Sequence, residues 1–151
     1  SKSVVIPLFE KYLTPSDSDT RMARLVIPKK CAEAYFPKVS EGQGFPIVFQ
    51  DAKGEDWEFH LRFWVNCNSK MYVLEGLKEY MTLMRWQAGD IVTFHRREPE
   101  GKLVIGTKKA QEYIKRESKN ERKLKGKRKR KRKRFWLLIQ SSVYIYINVY
   151  L

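Results

Sequence analysis

Cysteine, histidine and glycine are scarce in this sequence of 151 residues, and each shortage excludes a class of protein. Two cysteines, Cys31 and Cys67, are too few for a disulfide framework, so we expect an intracellular, reducing compartment. Neither histidine, His60 or His95, has cysteine or histidine at metal-ligand spacing. The eight glycines form no phosphate-binding loop, and no nucleophile elbow or catalytic Cys/His context is present. The sequence therefore predicts a protein that is not an enzyme and holds neither metal nor cofactor.

The acidic residues are too poorly arranged for a metal-dependent nuclease. Asp51, Glu55, Asp56 and Glu58 crowd one predicted turn. A nuclease needs paired acids around its metal ions and a lysine close by. We interpret this group as a solvated turn.

Length and composition indicate one domain with tails. Hydrophobic residues make up 42% of the chain, which is enough for a packed core. No apolar run with a small-residue cleavage pattern opens the sequence, so no secretion signal is predicted. Because the first residue is Ser1 and not methionine, we expect a piece of a longer protein.

The net charge of +14 is concentrated in one segment. Residues 1–110 hold 17 Lys/Arg and 14 Asp/Glu, residues 111–134 hold 14 Lys/Arg and 3 Glu, and residues 135–151 hold none. Such a block cannot pack a core, so 111–134 is predicted to be a disordered basic tail. Its final run predicts nuclear localisation through an import receptor, or salt-sensitive attraction to nucleic acid; a merely solvated tail is the alternative. The run consists of Lys127, Arg128, Lys129, Arg130, Lys131, Arg132, Lys133 and Arg134.

Residues 135–151 change abruptly to aromatic and aliphatic side chains. Seventeen residues with several polar interruptions are slightly short for a membrane span, although the basic flank would suit a tail anchor. We regard membrane attachment as the weaker reading and expect this stretch to be non-native sequence, such as a translated intron.

Alternating apolar and polar residues predict a mainly β fold for residues 1–110. Period-two patterns predict strands at 4–9, 45–50, 57–64, 71–75, 91–96 and 102–108. Two short helices fit at 29–35, where Pro28 precedes the first turn, and at 77–84. About seven strands with two short α-helices favour a small, barrel-like antiparallel fold.

Two polar loops carry the chemistry of this zone. Residues 14–23 are rich in hydroxyls and lie between Lys11 and Arg24. Residues 65–70 lie in the acid-free window 59–74 and contain two Asn, one Ser and one Lys. Arginine can read guanine and asparagine can read adenine in the major groove, while Ser and Lys suit phosphates. Because Asn and Ser also favour turns, composition alone leaves a plain turn open at 66–69.

Several ordered motifs resemble the plant B3 DNA-binding domain, most closely its VAL (viviparous/abscisic-acid-insensitive-like) branch. They are FEKYL at 9–13, SD at 16–17, RLVIPK at 24–29, CAEAYFP at 31–37, RFW at 62–64, NSKMYVLE at 68–75, AGDIVTF at 88–94 and EPEGKLV at 98–104. The resemblance implies a seven-stranded open pseudobarrel with two short helices. It also implies a nuclear transcriptional regulator that binds double-stranded DNA as a monomer and acts as a repressor in the manner of the VAL group.

In the family, two loops called the N-arm and the C-arm enter the major groove and read a CATGCA-type (RY) element. We use these names for residues 14–23 and 65–70. By position, the resemblance implies base reading by Ser16, Arg21, Trp64, Asn66 and Asn68. It implies phosphate contacts by Lys11, Arg24, Lys29, Arg62, Ser69 and Lys70.

This chain departs from the family pattern in both arms. The N-arm is about one residue longer than in VAL relatives, and the usual C-arm pattern Trp-Pro-Asn-Asn-Asn-Ser-Arg has Val65, Cys67 and Lys70 instead. Val65 lacks the proline ring that stiffens the loop, Cys67 lacks the amide of asparagine, and Lys70 lacks the planar guanidinium of arginine. These differences predict weaker or less selective DNA binding than in close relatives. The alternative function is a protein-interaction β module whose basic tail alone binds nucleic acid.

Overall fold

A computed structural model of the chain describes residues 2–125. Seven strands form one open sheet, which confirms the predicted mainly β pseudobarrel. The strands are β1 (Val4–Tyr12), β2 (Arg24–Ile27), β3 (Phe45–Gln50), β4 (Asp56–Asn66), β5 (Ser69–Glu75), β6 (Ile91–Glu98) and β7 (Lys102–Lys108).

The strand order β1-β6-β7-β3-β4-β5-β2 joins two antiparallel groups through one parallel pair. β3 and β7 run parallel, with Phe49 opposite Leu103 and Gln50 opposite Val104. The predicted antiparallel arrangement therefore holds except at this parallel pair. A parallel pair needs a long crossover, and the chain supplies one because β4, β5 and β6 all lie between β3 and β7.

β2 is the strand that alternation did not locate. It has only four residues, Arg24–Ile27, of which Leu25 and Ile27 are buried. Four residues between a polar loop and Pro28 are too few for the alternation of apolar and polar side chains to be recognised. Its place is set by pairing with β5, from Arg24 opposite Glu75 to Ile27 opposite Tyr72.

The core is built around aromatic side chains from both halves of the sheet. Phe49 and Phe94 are 0% and 1% exposed, with ring centroids 5.7 Å apart, and Phe36 packs edge-on against both. On the other side of Phe49, Phe59 and Tyr80 continue the cluster. Such tilted pairs stabilise a core beyond the area that they bury, and here they hold β3, β4 and β6 as one rigid support.

Two short helices lie where the sequence predicts them, α1 (Lys29–Tyr35) and α2 (Lys78–Met84). A third, α3 (Ala110–Lys125), occupies a part of the chain predicted to be a disordered tail, which corrects that prediction up to residue 125. Glu, Lys, Arg and Gln are good helix formers, and acidic residues interleave the basic ones here. The run 127–134 and the segment 135–151 lie outside the described residues. Within residues 2–125, no helix has the length and apolar character to cross a membrane.

The turn between β3 and β4 has a buried carboxylate where the sequence suggested a solvated one. Asp51 is 8% exposed and accepts hydrogen bonds from Lys53 N, Glu55 N and Trp57 Nε1 at 2.9–3.0 Å. Burial raises the pKa of Asp51, but these donors outweigh it and the net shift is downward. Asp51 is therefore a structural residue of the hairpin, while Gly54 supplies the positive φ of the turn (87°).

Candidate nucleic-acid interface

The N-arm and the C-arm lie at opposite ends of the same strand, β5. The C-arm is the hairpin between β4 and β5, where Asn66 pairs with Ser69. The N-arm leads into β2, whose first residue, Arg24, pairs with Glu75 at the other end of β5. Six residue steps at about 3.3 Å each separate these two ends by roughly 20 Å. The sheet thus presents two separate polar loops, one at each end of β5.

A buried carboxylate, Asp17, organises the N-arm. It is 1% exposed, and its Oδ2 accepts Thr14 N at 3.0 Å while its Oδ1 accepts Val26 N at 3.3 Å. In return, Thr14 Oγ1 accepts Asp17 N at 3.2 Å and lies 3.0 Å from Ser16 Oγ. One side chain therefore ties the start of the loop to β2, and the hydroxyl of Ser16 stays at the exposed tip.

Lys11 belongs to the same network. Its ammonium lies 3.0 Å from Asp17 Oδ2 and donates to Val26 O, and its side chain is 11% exposed. Burial lowers the pKa of Lys11, and the neighbouring Asp17 offsets part of that shift. The sequence predicted a phosphate contact for Lys11. The structure instead uses its charge inside the protein, because an ammonium held by two internal acceptors has little reach outward.

The base of the N-arm is pinned to the turn before β6. Leu13 N donates to Asp90 O at 2.8 Å, and Gly89 N donates back to Leu13 O at 2.9 Å. Asp90 is 2% exposed and accepts Gln87 N at 2.9 Å, Ala110 N at 3.0 Å and the ammonium of Lys109. Burial raises the pKa of Asp90, but these donors outweigh it and hold the pKa below its usual value. The start of the loop is thus tied by backbone hydrogen bonds to a turn that the buried carboxylate of Asp90 holds in place.

Arg21 projects from the N-arm with its guanidinium already paired. Its Nε lies 3.1 Å from Asp19 Oδ1 and its Nη2 lies 2.9 Å from Asp19 Oδ2, while Arg21 N donates to Oδ1 at 2.9 Å. The side chain is nevertheless 89% exposed. The hydrogen bonds from Arg21 hold the pKa of Asp19 below its usual value. The predicted base reader is therefore exposed and oriented at once.

The C-arm is a two-residue turn with little bracing from side chains. Cys67 and Asn68 both have positive φ, 49° and 62°, as a type I′ turn requires. Asn tolerates this left-handed region, whereas Cys meets the steric cost of its Cβ. Asn66, Cys67, Asn68 and Ser69 are all exposed. The alternative of a plain turn is correct for the backbone, and it leaves the predicted readers Asn66 and Asn68 on the surface.

The remaining predicted residues divide into exposed and internally braced ones. Trp64 is 37% exposed beside the C-arm, and the ammonium of Lys70 lies 4.9 Å from the ring centre of Phe63. Lys29 has a half-exposed side chain, 3.9 Å from Glu33 on the next turn of α1, and Arg24 is half-buried on β2. Arg62 is held between Gly42 O at 2.9 Å and Glu75 Oε2 at 3.2 Å. It therefore braces the 40–44 loop and has less freedom to hold a phosphate than was predicted.

Comparison with known proteins decides the family. Residues 9–111 match the sequence profile of the B3 DNA binding domain, about two thirds of the chain. The chain belongs to the B3 DNA-binding domain family. This is a family of DNA-binding domains of transcription factors and not an enzyme family. The matched region, residues 9–111, includes both arms of the B3 domain and the contact between Asp90 and Lys109.

Curated relatives and solved structures agree with this assignment. Two VAL-type B3 domain-containing transcription repressors of Arabidopsis thaliana are 58% identical over 110 residues and 53% identical over 106 residues. These matches cover 73% and 70% of this chain but only 14% and 13% of the relatives, so the chain spans a small part of their length. The Arabidopsis FUS3-DNA complex is similar with a TM-score of 0.66 and 36% identity, covering 69% of this chain and 98% of that one. The Arabidopsis thaliana LEC2-DNA complex follows with 0.65 and 31%, covering 71% and 96%.

Sequence reasoning assigned no role to the buried residues that support the arms of the B3 domain. Asp17 and Asp90 stand in the motifs that carried the resemblance, but their partners are distant in the chain: Val26, Lys109 and Ala110. A usable signal was the position of each acid beside a turn, where carboxylates often cap backbone amides. Asp19 gave no signal, since an exposed acid in a polar loop is unremarkable before its contact with Arg21 is seen.

Proposed function

We propose that the B3 domain of this chain reads a CATGCA-type element in the major groove of duplex DNA, as a monomer, through its N-arm and C-arm. The supporting observation is the pair of exposed polar loops at opposite ends of β5, on a fold shared with proteins solved as DNA complexes. The window 59–74, which is free of acidic residues and includes the C-arm, adds to this by lowering repulsion of phosphates.

Base reading falls to the exposed polar tips. Arg21 suits guanine, since a guanidinium donates to O6 and N7 together, and Asn66 or Asn68 suits adenine, since an amide both donates and accepts. Trp64 offers a partly exposed ring for apolar contact beside the C-arm, and Ser16 offers a hydroxyl at the N-arm tip.

Phosphate contacts fall to the cations and the hydroxyl that flank the tips: the half-buried Arg24 and the exposed Lys29, Ser69 and Lys70. Lys11 and Arg62, which were also predicted to bind phosphate, act indirectly in this proposal. Lys11 bonds Asp17 of the N-arm and Val26 of β2, and Arg62 bonds Gly42 of the 40–44 loop, so both cations support the loops from inside.

The wider role that we propose is that of a nuclear repressor. Support for repression comes from the VAL-type repressors among the relatives, although the chain spans only 14% of one of them. The eight consecutive basic residues at 127–134 would serve an import receptor and add salt-sensitive attraction to DNA.

Fluorescence anisotropy tests the proposal directly. The full chain and a chain ending at residue 125 are titrated with a CATGCA duplex and a scrambled duplex near physiological salt. A preference of about tenfold or more in both chains supports reading by the loops. Equal binding to both duplexes by the full chain, lost on truncation, favours the alternative in which the basic tail alone binds nucleic acid.

Two substitutions then distinguish sequence-specific base contacts from sequence-independent attraction to phosphates. Arg21→Ala should cost about 1–3 kcal/mol on the CATGCA duplex and much less on the scrambled one, because it removes a base contact. Lys29→Ala should weaken both duplexes equally. Lys53→Ala, in the turn at the far end of β4 from the C-arm, is the matched control for loss of one positive charge.

A further inference from the structure

The contact between Asp19 and Arg21 contributes little to the stability of the fold but fixes the orientation of the Arg21 guanidinium. Two side-chain hydrogen bonds join the groups, yet the guanidinium is 89% exposed and its partner 25%. Exposed ion pairs contribute little to stability because water screens them and ordering two side chains costs entropy. Two parallel hydrogen bonds nevertheless fix the plane and direction of the guanidinium.

The pairing leaves one edge of the guanidinium for DNA. Nε and one side of Nη2 face Asp19. A guanidinium has five N–H donors in a fixed plane. Nη1 and the outer hydrogen of Nη2 therefore form the outward fork, and these two donors are the ones that match guanine O6 and N7 end-on.

We propose that Asp19 is a specificity-determining residue, which positions Arg21 as a preformed fork for one guanine of the DNA site. The inference rests on the proposed function and names how one of its readers is held. An arginine already fixed in the bound geometry loses less side-chain entropy on binding and discriminates more sharply between bases.

Two other roles for Asp19 predict different effects of its substitution on DNA binding. If Asp19 sequestered Arg21 from DNA, its removal would tighten binding and increase discrimination. If Asp19 were only structural, its work would be the backbone: Oδ1 accepts Arg21 N, and its carbonyl accepts Met22 N and Ala23 N at 3.1 Å. Asp19→Asn separates the roles. Asn forms the same side-chain-to-backbone turn, but its amide NH₂ opposes Nη2 donor to donor and ends the bidentate pairing.

The experiment measures discrimination at single guanines. The full chain, Asp19→Asn, Arg21→Ala, the double variant and the control Asp56→Asn, which removes an equal charge at the far end of β4 from the C-arm, are titrated with the CATGCA duplex. Each guanine of the duplex is replaced in turn by 7-deazaguanine, which lacks the N7 acceptor. Circular dichroism and urea unfolding of each variant show whether the fold is retained. Because the double variant has the net charge of the wild type, it also separates charge from geometry.

We expect one 7-deazaguanine position to weaken the wild type, and Asp19→Asn to reduce that discrimination by about two- to tenfold. Asp19→Asn should change discrimination no further once Arg21 is Ala, and Asp56→Asn should discriminate between the duplexes as wild type does. Unchanged or increased discrimination in Asp19→Asn overturns the inference while leaving the proposed function standing. The same holds if Arg21→Ala discriminates as well as wild type. A wild type that does not prefer the CATGCA duplex overturns both.

Discussion

The two arms are held by different forces, although they serve one proposed surface. The buried carboxylate of Asp17 ties the N-arm to β2, and the residue before the N-arm, Leu13, bonds to the backbone of a turn that the buried carboxylate of Asp90 holds. The C-arm is an extension of strand pairing that ends in the tight turn Cys67–Asn68, and its side chains point into solvent. Electrostatics and desolvation therefore govern the first arm, while backbone conformation governs the second. Substitution, acid and salt should act on them unequally.

The largest effect is expected from Asp17→Ala. Its removal leaves the ammonium of Lys11 buried beside Val26 O without its carboxylate, and orphans Thr14 N and Val26 N. Losing one partner of a buried pair costs about 3–5 kcal/mol of the free energy of unfolding. Urea denaturation measures the loss. Asp56→Ala, which breaks the exposed pair with Lys102, should cost less than about 1 kcal/mol. Similar small losses in both variants would refute the buried brace.

Acid should loosen the base of the N-arm through Asp90. Its folded pKa is lower than the usual 3.8, so the unfolded chain binds more protons as the pH falls. The stabilisation is thus complete above the unfolded pKa and is lost as pH falls through the folded pKa. Asp90→Asn should cost about 1.5–3 kcal/mol at neutral pH, typical of hydrogen bonds to a charged group. Chemical denaturation at pH 7 and below pH 3.8 should show the gap between variant and wild type narrowing in acid. A constant gap would contradict the assignment.

The C-arm should instead respond to backbone conformation. Cys67→Asn should stabilise the fold by about 0.5–1 kcal/mol, because Asn accepts positive φ more readily than Cys. Asn68→Ala should destabilise it by about 1 kcal/mol for the same reason. Thermal unfolding of the pair measures both signs. If neither variant shifts the midpoint, the turn is unstrained and the contrast between the arms is weaker than we infer.

Stiffening the C-arm should also tighten DNA binding. In a two-residue hairpin, the residues that flank the turn, here Asn66 and Ser69, form a hydrogen-bonded pair. The next pair, Val65 and Lys70, is then a non-hydrogen-bonded one. Proline at position 65 therefore removes no backbone hydrogen bond to β5. Val65→Pro with Cys67→Asn should therefore improve affinity for the CATGCA duplex severalfold by lowering the entropy lost on binding. A side-by-side titration in which the double variant binds no tighter than wild type would count against this.

The smallest effect is expected at Lys70. Lys70→Ala should reduce the salt dependence of binding, with the slope of log K against log[salt] falling by about 1, and should weaken all sequences alike. Anisotropy at several salt concentrations measures the slope, with Lys53→Ala as the control of equal charge. A change confined to the CATGCA duplex would show that Lys70 reads a base.

Pattern reasoning succeeded where local periodicity matched tertiary burial. In β4, Phe59, Leu61 and Phe63 alternate with polar residues and are all buried, and Pro28 correctly preceded α1. It failed where pairing partners are remote or elements short, as for β2 and the parallel pair of β3 and β7. α3 was missed because charge density was taken as disorder, although its acidic residues and helix formers suit a helix.

The sequence by itself determined the class of fold, the family and the exposed tips of both arms, because alternation, turn residues and ordered motifs are local features. Only the tertiary structure decided which cations face solvent and which face inward. Lys11 and Arg62 read as phosphate binders until Asp17, Gly42 and Glu75 are seen beside them. The tertiary structure also decided that Arg21 has a partner in Asp19. The sequence gives the charge of each side chain, but the direction in which that side chain points depends on acceptors that only folding brings within hydrogen-bond distance.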